Sequence, residues 1–293
     1  MNLALGALDL ISERTADDVP AISVTLCFKF RDRFVVHVSG GRARASEFLR
    51  RAMPKFSIIT TVLEPDQRLI ESIRSVHHRA DSEHIISVAG DFEKTQTLLK
   101  SAGITSPLLL AVPSASISEG FNACLRHASG EFIWVLNSGD KELDIDPLLR
   151  MIESNTDLDF VYGNVRYGSK FVRAKRTLNR RSCILHGMGF CHGAAVVKAS
   201  FHDKYGLYDS KYRICMDAAL FIKAVLSGAK SSHVDECVAY VAPGGISGQA
   251  RTRVGELYRI ISQHVVQPIP LMVAAKWLIA SWFMESLHSS HDD

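Results

Sequence analysis

Residues 128–140 read ASGEFIWVLNSGD, and this stretch decides the fold class that the sequence predicts. Its centre, FIWVL, is a short apolar run typical of a buried strand, and the run stops abruptly at the polar tetrapeptide NSGD. Ligands of open α/β sheets bind beyond the carboxyl ends of the strands, so a carboxylate at Asp140 would face a crevice. An ordinary turn is the alternative interpretation, because Asn, Ser, Gly and Asp all favour turns.

The residues on both sides of this stretch alternate between strand-like and helix-like patterns. Five runs rich in β-branched and aromatic residues predict strands, namely FSIITTVL, HIISVAG, PLLLAV, EFIWVL and DFVYGNV. Between them lie segments with apolar residues at helical spacing, one of which starts with a capping box formed by Ser116 and Glu119. We interpret Gly130 as the end of that helix. The alternation predicts an α/β fold with a mostly parallel sheet flanked by helices.

The two ends of the chain differ from this central part. Near the N-terminus, AISVTLCFKF and RFVVHVSGG predict two strands that pair as a hairpin. After an irregular basic segment at 168–181, the runs GAAVVKA, MDAALFIKAVLSG and HVDECVAYV predict a strand, a helix and a strand, and two helical segments follow a Gly-rich turn. We therefore expect an N-terminal extension at 1–53, an α/β domain at 54–248 and a C-terminal helical appendage at 249–293.

Composition limits the partners and the compartment. The 34 basic and 31 acidic residues leave a formal net charge of +3, which is too near balance for a whole-surface attraction to nucleic acid. The six cysteines include no CxxC pair, so we expect a reducing compartment, and a zinc site is disfavoured because the spacing of Cys183, His186, Cys191 and His192 matches no standard ligand pattern. No secretory signal or membrane-spanning run of ~20 apolar residues is evident, which predicts a cytoplasmic protein.

Four motifs together resemble family 2 glycosyltransferases, which have the GT-A fold. PKFSIITTVLEPD is similar to the family's opening strand and loop, and ASGEFIWVLNSGD to the strand that leads into its metal-binding DxD region. CHGAAVVKASFHDKYGLYDSKYRICMDAALFIKAVLSG resembles the acceptor-side block, and GGISG also has a counterpart. The resemblance covers about 54–248 and is greatest to enzymes of bacterial exopolysaccharide, O-antigen or glycolipid assembly. It implies a hexosyltransferase that uses a nucleotide-sugar donor, with a UDP-sugar as the expected donor, and a saccharide or lipid-linked acceptor.

The resemblance implies a donor site with a divalent cation. Thr60 and Thr61 match the loop that lines the nucleotide pocket, although strand termination is an equally good explanation of both residues. Asp140 matches the last acidic residue of the DxD region, and it would hold Mg²⁺ or Mn²⁺ against the donor diphosphate. Asn137 stands where many relatives have the first acidic residue, and Ser138 follows it in the same donor-binding turn.

Two further residues complete the implied site. Asp217 matches the family's catalytic base, which takes the proton of the acceptor hydroxyl during an inverting attack. Its alternative role is to cap the helix that it opens. His192 matches the histidine of the family's CH pair and is expected near the donor diphosphate or the acceptor cleft, although a lone histidine is as often structural.

Three departures from the family pattern put activity in question. Val88 stands where relatives place an acidic residue that contacts the base, Ser114 replaces a common Asp, and Ala219 replaces the second acidic residue after the base. Asp91 or Glu93 are the nearest substitutes for the first of these. A catalytically degenerate pseudoenzyme that acts as a binding or regulatory partner is therefore the alternative function. A nucleotidyltransferase is disfavoured, because no Gly-rich basic loop follows the first strand of the domain.

Basic and aromatic residues near the C-terminal half indicate a membrane surface as a further partner. Seven basic residues lie between two predicted strands with no acidic residue among them: Arg166, Lys170, Arg173, Lys175, Arg176, Arg180 and Arg181. The apolar helix LMVAAKWLIASWFM carries Trp277, Trp282 and Phe283. This combination favours peripheral association with the inner face of the cell membrane. A solvated loop is the ordinary alternative for the basic segment.

Overall fold

The computed structural model describes residues 54–113, 116–245, 249–266 and 268–289, with side chains of the last helix to Ile279, and three short backbone segments nearer the N-terminus. Lys55–Asp293 forms one compact unit and Met1–Pro54 another. In the N-terminal unit, β2 pairs antiparallel with both β1 and β3, and these strands are Leu10–Ile11 (β1), Ser23–Leu26 (β2) and Phe34–Val36 (β3).

A mixed sheet forms the centre of the larger unit. Within the described residues its strands are Phe56–Val62 (β4), Ser82–Val88 (β5), Leu108–Ala111 (β6), Phe132–Val135 (β7), Lys141–Glu142 (β8), Phe160–Tyr167 (β9), Lys170–Val172 (β10), Ala195–Lys198 (β11) and Ser231–Val241 (β12). Their order is β6-β5-β4-β7-β11-β9-β12-β8, and β10 pairs with β9. β4 is parallel to β5 and β7, β5 to β6, and β9 to β12, whereas β11 runs antiparallel to both of its neighbours.

In the described part of the chain, helices cover this sheet and follow it as far as Ser289. They are Gln67–Val76 (α1), Phe92–Ser101 (α2), Ile117–His127 (α3), Asp146–Ser154 (α4), Arg180–His186 (α5), Ser200–Tyr205 (α6), Met216–Leu226 (α7), Ala250–Ser262 (α8) and Ile269–Ser289 (α9), with a 3₁₀ turn at His192–Ala194. The α/β fold that the sequence predicts is therefore confirmed. The domain boundaries at 54 and 248 stay predictions, and α8 and α9 lie in the same compact unit as the sheet.

The central strands are buried on both faces, which explains their nearly continuous apolar sequences. Ile58 and Ile59 are both fully buried but pack into different core clusters, as expected for neighbouring residues that point to opposite faces of a strand. Trp134 and Val135 on β7 divide in the same way. The sheet therefore has a hydrophobic core on each side.

The basic segment at 168–181 is irregular only at 173–179, because β10 precedes this stretch and α5 follows it. Gly168 has a φ of 56°, which allows a tight reversal from β9 into the antiparallel strand β10. Further on, Asn179 and Ser182 form a capping box at the start of α5. Short side-chain caps and a glycine turn thus specify structure where no hydrophobic periodicity is present.

Gly130 does not end a helix. The helix α3 has the predicted capping box of Ser116 and Glu119, but it already ends at His127. A Cβ atom added at Gly130 would lie 2.6 Å from the backbone atoms C of Phe56 and N of Ser57. A glycine is therefore needed here because the chain passes close to the beginning of β4.

Substituting Gly130 with alanine should destabilise the protein. The added methyl group meets backbone atoms that cannot move independently of β4, so we expect a loss of about 1–3 kcal/mol in the free energy of unfolding, measured by urea denaturation. Gly255→Ala is the matched control, because no atom lies within 4 Å of its added Cβ and alanine favours a helix interior. An unchanged unfolding midpoint for Gly130→Ala would contradict the close approach.

Candidate active site

A polar turn follows the carboxyl end of β7 and contains Asp140. The side chain is 5% exposed, and its Oδ1 accepts a 3.0 Å hydrogen bond from the amide of Ala242, directly after β12. Its Oδ2 accepts a 3.1 Å bond from Nδ2 of Asn137. Asn137 thus orients the carboxylate through its amide, and the half-buried Ser138 follows it in the turn.

The turn is fixed from two sides by neighbouring elements. Gly139 has a φ of 96°, and its amide donates a 2.8 Å hydrogen bond to the hydroxyl of Ser72 on α1. A Cβ atom at Gly139 would lie 3.2 Å from the Cβ of Ala242. Both the left-handed backbone and the narrow space therefore require glycine at this position.

The charge of Asp140 is not balanced by a neighbouring base. Burial raises the pKa of its carboxyl to about 6, although the hydrogen bonds from Ala242 and Asn137 act in the opposite direction. No basic side chain among the described residues contributes to this pKa. An ionised carboxylate in this position would be stabilised by a cation.

Asp217 lies in the first turn of α7. It is half-buried, and its Oδ1 accepts a 2.7 Å hydrogen bond from the amide of Ala218. Burial raises the pKa of Asp217 to about 6, the backbone amides lower it, and the negative charge of Glu256 raises it further. The carboxylate is thus connected to the helix terminus, as in the capping interpretation, while remaining partly accessible for chemistry.

The charges of both carboxylates act on the thiol of Cys191. Its pKa is raised to about 12, first by burial, then by the charge of Asp140 and more weakly by that of Asp217. Gly193 is also close to Asp140, because a Cβ added at Gly193 would be 3.6 Å from Oδ2 of Asp140. Asp140, in the turn after β7, and Asp217, on α7, therefore both lie within electrostatic range of Cys191.

His192 points into an aromatic cluster. It is 8% exposed, its Nε2 lies 2.8 Å from the hydroxyl of Tyr208, and its ring makes edge contacts with Phe121 and Phe221. Burial, together with nearby His202, lowers the pKa of His192 to about 3, so the ring is neutral at physiological pH. The geometry favours the structural alternative for His192.

Thr60 and Thr61 lie within β4 and not in a loop after it. The fully buried hydroxyl of Thr60 donates to the carbonyl of Leu136 at 2.5 Å and lies 2.9 Å from Nε2 of His84. The hydroxyl of Thr61 lies 2.9 Å from that of Ser87. These contacts join neighbouring strands, so the geometry favours the structural alternative for Thr60 and leaves only the half-buried Thr61 near the strand end.

The departures from the family pattern also have structural explanations. Val88 is 1% exposed and belongs to the core at the end of β5. Asp91 accepts a 2.8 Å hydrogen bond from the amide of Lys94 as the cap of α2, so its carboxylate already has a role. Ala219 is half-buried in α7, and Ser114 lies outside the described residues.

Glu256 on α8 contacts the backbone that leads into Asp217, and no motif in the sequence predicts this contact. It is 3% exposed, and its carboxylate accepts hydrogen bonds from the backbone amides of residues 213–215, immediately before α7. The signal available in the sequence was weak: one acidic residue next to Val254 and Leu257 on the apolar side of a basic helix. Because its partners are backbone amides, no spacing motif could identify it.

Comparisons with known proteins identify the class. No family model matches the chain. Two proteins from different strains of Mycobacterium tuberculosis, both described as uncharacterized glycosyltransferases, are each 25% identical over 182 residues, which make up 59% of this chain and 70% of theirs. The chain is thus a homologue of glycosyltransferases, and the prediction of this enzyme class is confirmed.

Solved structures show the same fold at lower identity. S. aureus TarS in complex with UDP-GlcNAc has a TM-score of 0.58 and 14% identity, and the match covers 76% of this chain and 71% of that chain. The mannosyltransferase PcManGT from Pyrobaculum calidifontis, in complex with GDP-Man and Mn²⁺, has a TM-score of 0.55 and 14% identity, with 85% of each chain covered. The expected GT-A fold is therefore confirmed, whereas membership of family 2 stays a prediction.

Tyr208→Phe should reveal whether the aromatic cluster is held by the bond to His192. Loss of the hydroxyl leaves a buried imidazole nitrogen without its partner, so we expect a loss of about 1–3 kcal/mol in the free energy of unfolding. Tyr167→Phe is the control, since Tyr167 is 40% exposed. Equal unfolding midpoints for the two variants in urea would contradict a structural role for this hydrogen bond.

Proposed function

We propose that this chain transfers a sugar from a nucleoside-diphosphate sugar to a hydroxyl group of a saccharide or lipid-linked acceptor, with inversion at the anomeric carbon. The observation that carries the proposal is a pair of acidic side chains placed near Cys191: Asp140, buried in the turn after β7, and Asp217, half-buried in the first turn of α7. Neither carboxylate has a basic side chain as partner among the residues described. Asp140 is therefore available to bind a cation, and Asp217 is available to accept a proton.

Asp217 is the proposed base. The acceptor oxygen forms a bond to the anomeric carbon while the bond from that carbon to the diphosphate oxygen breaks, and the hydroxyl proton passes to a carboxylate oxygen of Asp217. The nucleoside diphosphate leaves with the bonding electrons. The raised pKa makes Asp217 a stronger base than an exposed aspartate, and it remains ionised above about pH 6.

Asp140 is the proposed ligand of a divalent cation. No group of three His, Cys, Asp or Glu side chains suited to a metal occurs among the described residues. One carboxylate nevertheless fits Mg²⁺ or Mn²⁺, because these ions keep waters and take phosphate oxygens from the substrate. A bound ion would neutralise the charge that develops on the diphosphate. Asn137 would hold the Asp140 carboxylate in place through its amide.

A UDP-sugar is the donor that we propose to test first. TarS is seen with UDP and with UDP-GlcNAc, whereas PcManGT is seen with GDP-Man and Mn²⁺. These neighbours support a nucleotide-sugar donor and the use of a divalent cation. They favour UDP over GDP only weakly, so both donors, and dTDP-sugars, belong in one assay. A role in cell-surface polysaccharide or glycolipid synthesis rests on the sequence motifs.

Asparagine variants of the two carboxylates should separate their roles. Asp217→Asn should reduce sugar transfer by about 10²–10⁴-fold with little change in donor affinity, because it removes only proton acceptance. Asp140→Asn should instead weaken the Mn²⁺-dependent binding of nucleoside diphosphate. Calorimetric titration and single-turnover transfer measure the two effects, and Asp81→Asn, at an exposed position, is the control.

The same measurements test the pseudoenzyme alternative. That alternative requires no turnover of UDP-, GDP- or dTDP-sugars with Mn²⁺ and no functional loss in Asp217→Asn. If both results were found, the proposed transferase activity would be wrong. Transfer that survives unchanged in Asp217→Asn would reject the assignment of the base alone.

We also propose that α9 and its surroundings contact an anionic membrane surface. No helix among the described residues is long and apolar enough to cross a bilayer. Large apolar side chains are nevertheless exposed between residues 266 and 279, and they are Val266, Ile269, Leu271, Met272, Leu278 and Ile279. The side chains of Trp282 and Phe283 lie outside the described set. An exposed apolar helix of this kind suits the interface of a bilayer.

The basic groups beside α9 favour a negatively charged partner for this helix. Lys276 lies on α9 itself, and both Lys276 and Lys175 lower the pKa of exposed His186, so the three side chains are neighbours. Nη2 of Arg180 also donates a 2.8 Å bond to the carbonyl of His264, before α9. The basic segment therefore borders the apolar helix, and this charge complements anionic lipid headgroups.

Vesicle sedimentation tests this surface. The protein should bind vesicles containing phosphatidylglycerol and bind phosphatidylcholine vesicles much less. Replacing Lys276 and Lys175 with alanine should weaken binding about 30-fold, since each basic residue near the surface contributes ~1 kcal/mol. Met272→Glu should also release the protein, whereas Leu143→Glu, on another exposed surface, should not. Equal binding to both lipids, or concentration-dependent dimers that Met272→Glu dissociates, would contradict the proposal.

A further inference from the structure

The buried carboxylate of Glu256 organises the backbone that precedes α7. Its Oε1 accepts a 2.7 Å hydrogen bond from the amide of Arg213, and its Oε2 accepts bonds of 2.9 and 2.8 Å from the amides of Ile214 and Cys215. Three amides bound to one carboxylate form a strong, charge-assisted anchor. The side chain of Cys215, at the N-cap position of α7, makes no capping hydrogen bond. Glu256 from α8 instead accepts hydrogen bonds from the amides at this end of the helix.

Other contacts hold the same backbone against α8. The thiol of Cys215 donates to the carbonyl of Arg253 at 3.6 Å, and Nε2 of Gln263 donates to the hydroxyl of Tyr212 at 2.9 Å. The partners on α8 and directly after it span two to three helical turns. The segment before α7 is therefore fixed along its length, and Glu256 lies at the centre of these contacts.

We propose that Glu256 is a positioning residue for the Asp217 carboxylate. Asp217 follows Cys215 by two residues, so the orientation of its side chain depends on the backbone that Glu256 holds. The inference rests on the proposed function for its catalytic meaning. It extends that function by making α8 part of the machinery that presents the base, outside the segment that carries the family motifs.

The charge of Glu256 has a second effect on the base. Among the described residues, the Glu256 carboxylate, the Tyr208 hydroxyl and the thiols of Cys191 and Cys215 interact electrostatically with Asp217, and basic Arg253 acts on the neighbouring Cys215 thiol. After burial, the negative charge of Glu256 raises the pKa of Asp217. Removal of that charge should therefore lower this pKa and move the acid limb of activity to lower pH.

Two substitutions separate position from charge. Glu256→Asp retains the charge but is one methylene shorter, so it cannot reach all three amides. Glu256→Gln retains the length but loses the charge. Arg251→Ala is the matched control, because Arg251 is an exposed residue of the same helix.

Two of the measurements do not depend on turnover. Hydrogen–deuterium exchange of a peptide containing residues 213–219 should become at least tenfold faster in Glu256→Asp. The pKa of Asp217, measured by ¹³C NMR of labelled carboxyl groups and assigned with Asp217→Asn, should fall in Glu256→Gln. In both variants kcat should fall about 10–100-fold with donor KM within twofold, since a misplaced base costs rate and not donor binding. Arg251→Ala should resemble the wild type in every measurement.

The inference is wrong if neither substitution changes exchange at 213–219 or the pKa of Asp217. It is also wrong if melting temperature and kcat fall in proportion while the acid limb and the kcat/KM split stay as in the wild type, because that pattern indicates general destabilisation. If the wild-type protein transfers no sugar, the proposed function fails by itself, and exchange together with the carboxyl titration still decides the role of Glu256.

Discussion

A buried carboxylate requires hydrogen-bond donors or a cation, and the centre of this molecule depends on how Asp140 meets that requirement. One donor is Asn137 in its own turn, and the other is the amide of Ala242 after β12. β7 lies in the parallel half of the sheet and β12 in the other half, with β11 and β9 between them. The bond from Ala242 can therefore form only when the sheet is complete, so the formation of the site is coupled to the assembly of the whole core.

The distribution of charge follows a consistent scheme. Asp140 and Asp217 have no basic side chain as partner among the described residues, whereas Lys175 and Lys276 both lie near exposed His186. With a formal net charge of only +3, the chain thus separates its charges without carrying a large excess. Two carboxylates without a basic partner disfavour a diphosphate unless a cation accompanies it, so the proposed donor would require the proposed ion.

The sequence was sufficient for the parts of the fold that depend on apolar pattern. The central strands and the capping box at Ser116 are local features, so they could be predicted within a few residues. Gly130 could not be interpreted correctly, because the backbone that crowds it belongs to β4, more than 70 residues earlier. Thr60 and His192 match family positions, yet burial in the folded core determines what their side chains contact. A motif could predict the role of a residue only where its side chain is not used for packing or hydrogen bonds within the core.

The reversed direction of β11 has a consequence for how the cleft is built. Strands that run parallel contribute only the residues that follow them to such an edge, and those residues come from loops that enter helices. Because β11 runs the other way, the turn before it, with Cys191 and Gly193, reaches the same edge. The indole of Trp134 donates to the carbonyl of Gly193 and ties this turn to β7. The turn beside Asp140 is thereby a short segment tied to β7, so a loop insertion in this turn would disrupt the hydrogen bond from Trp134.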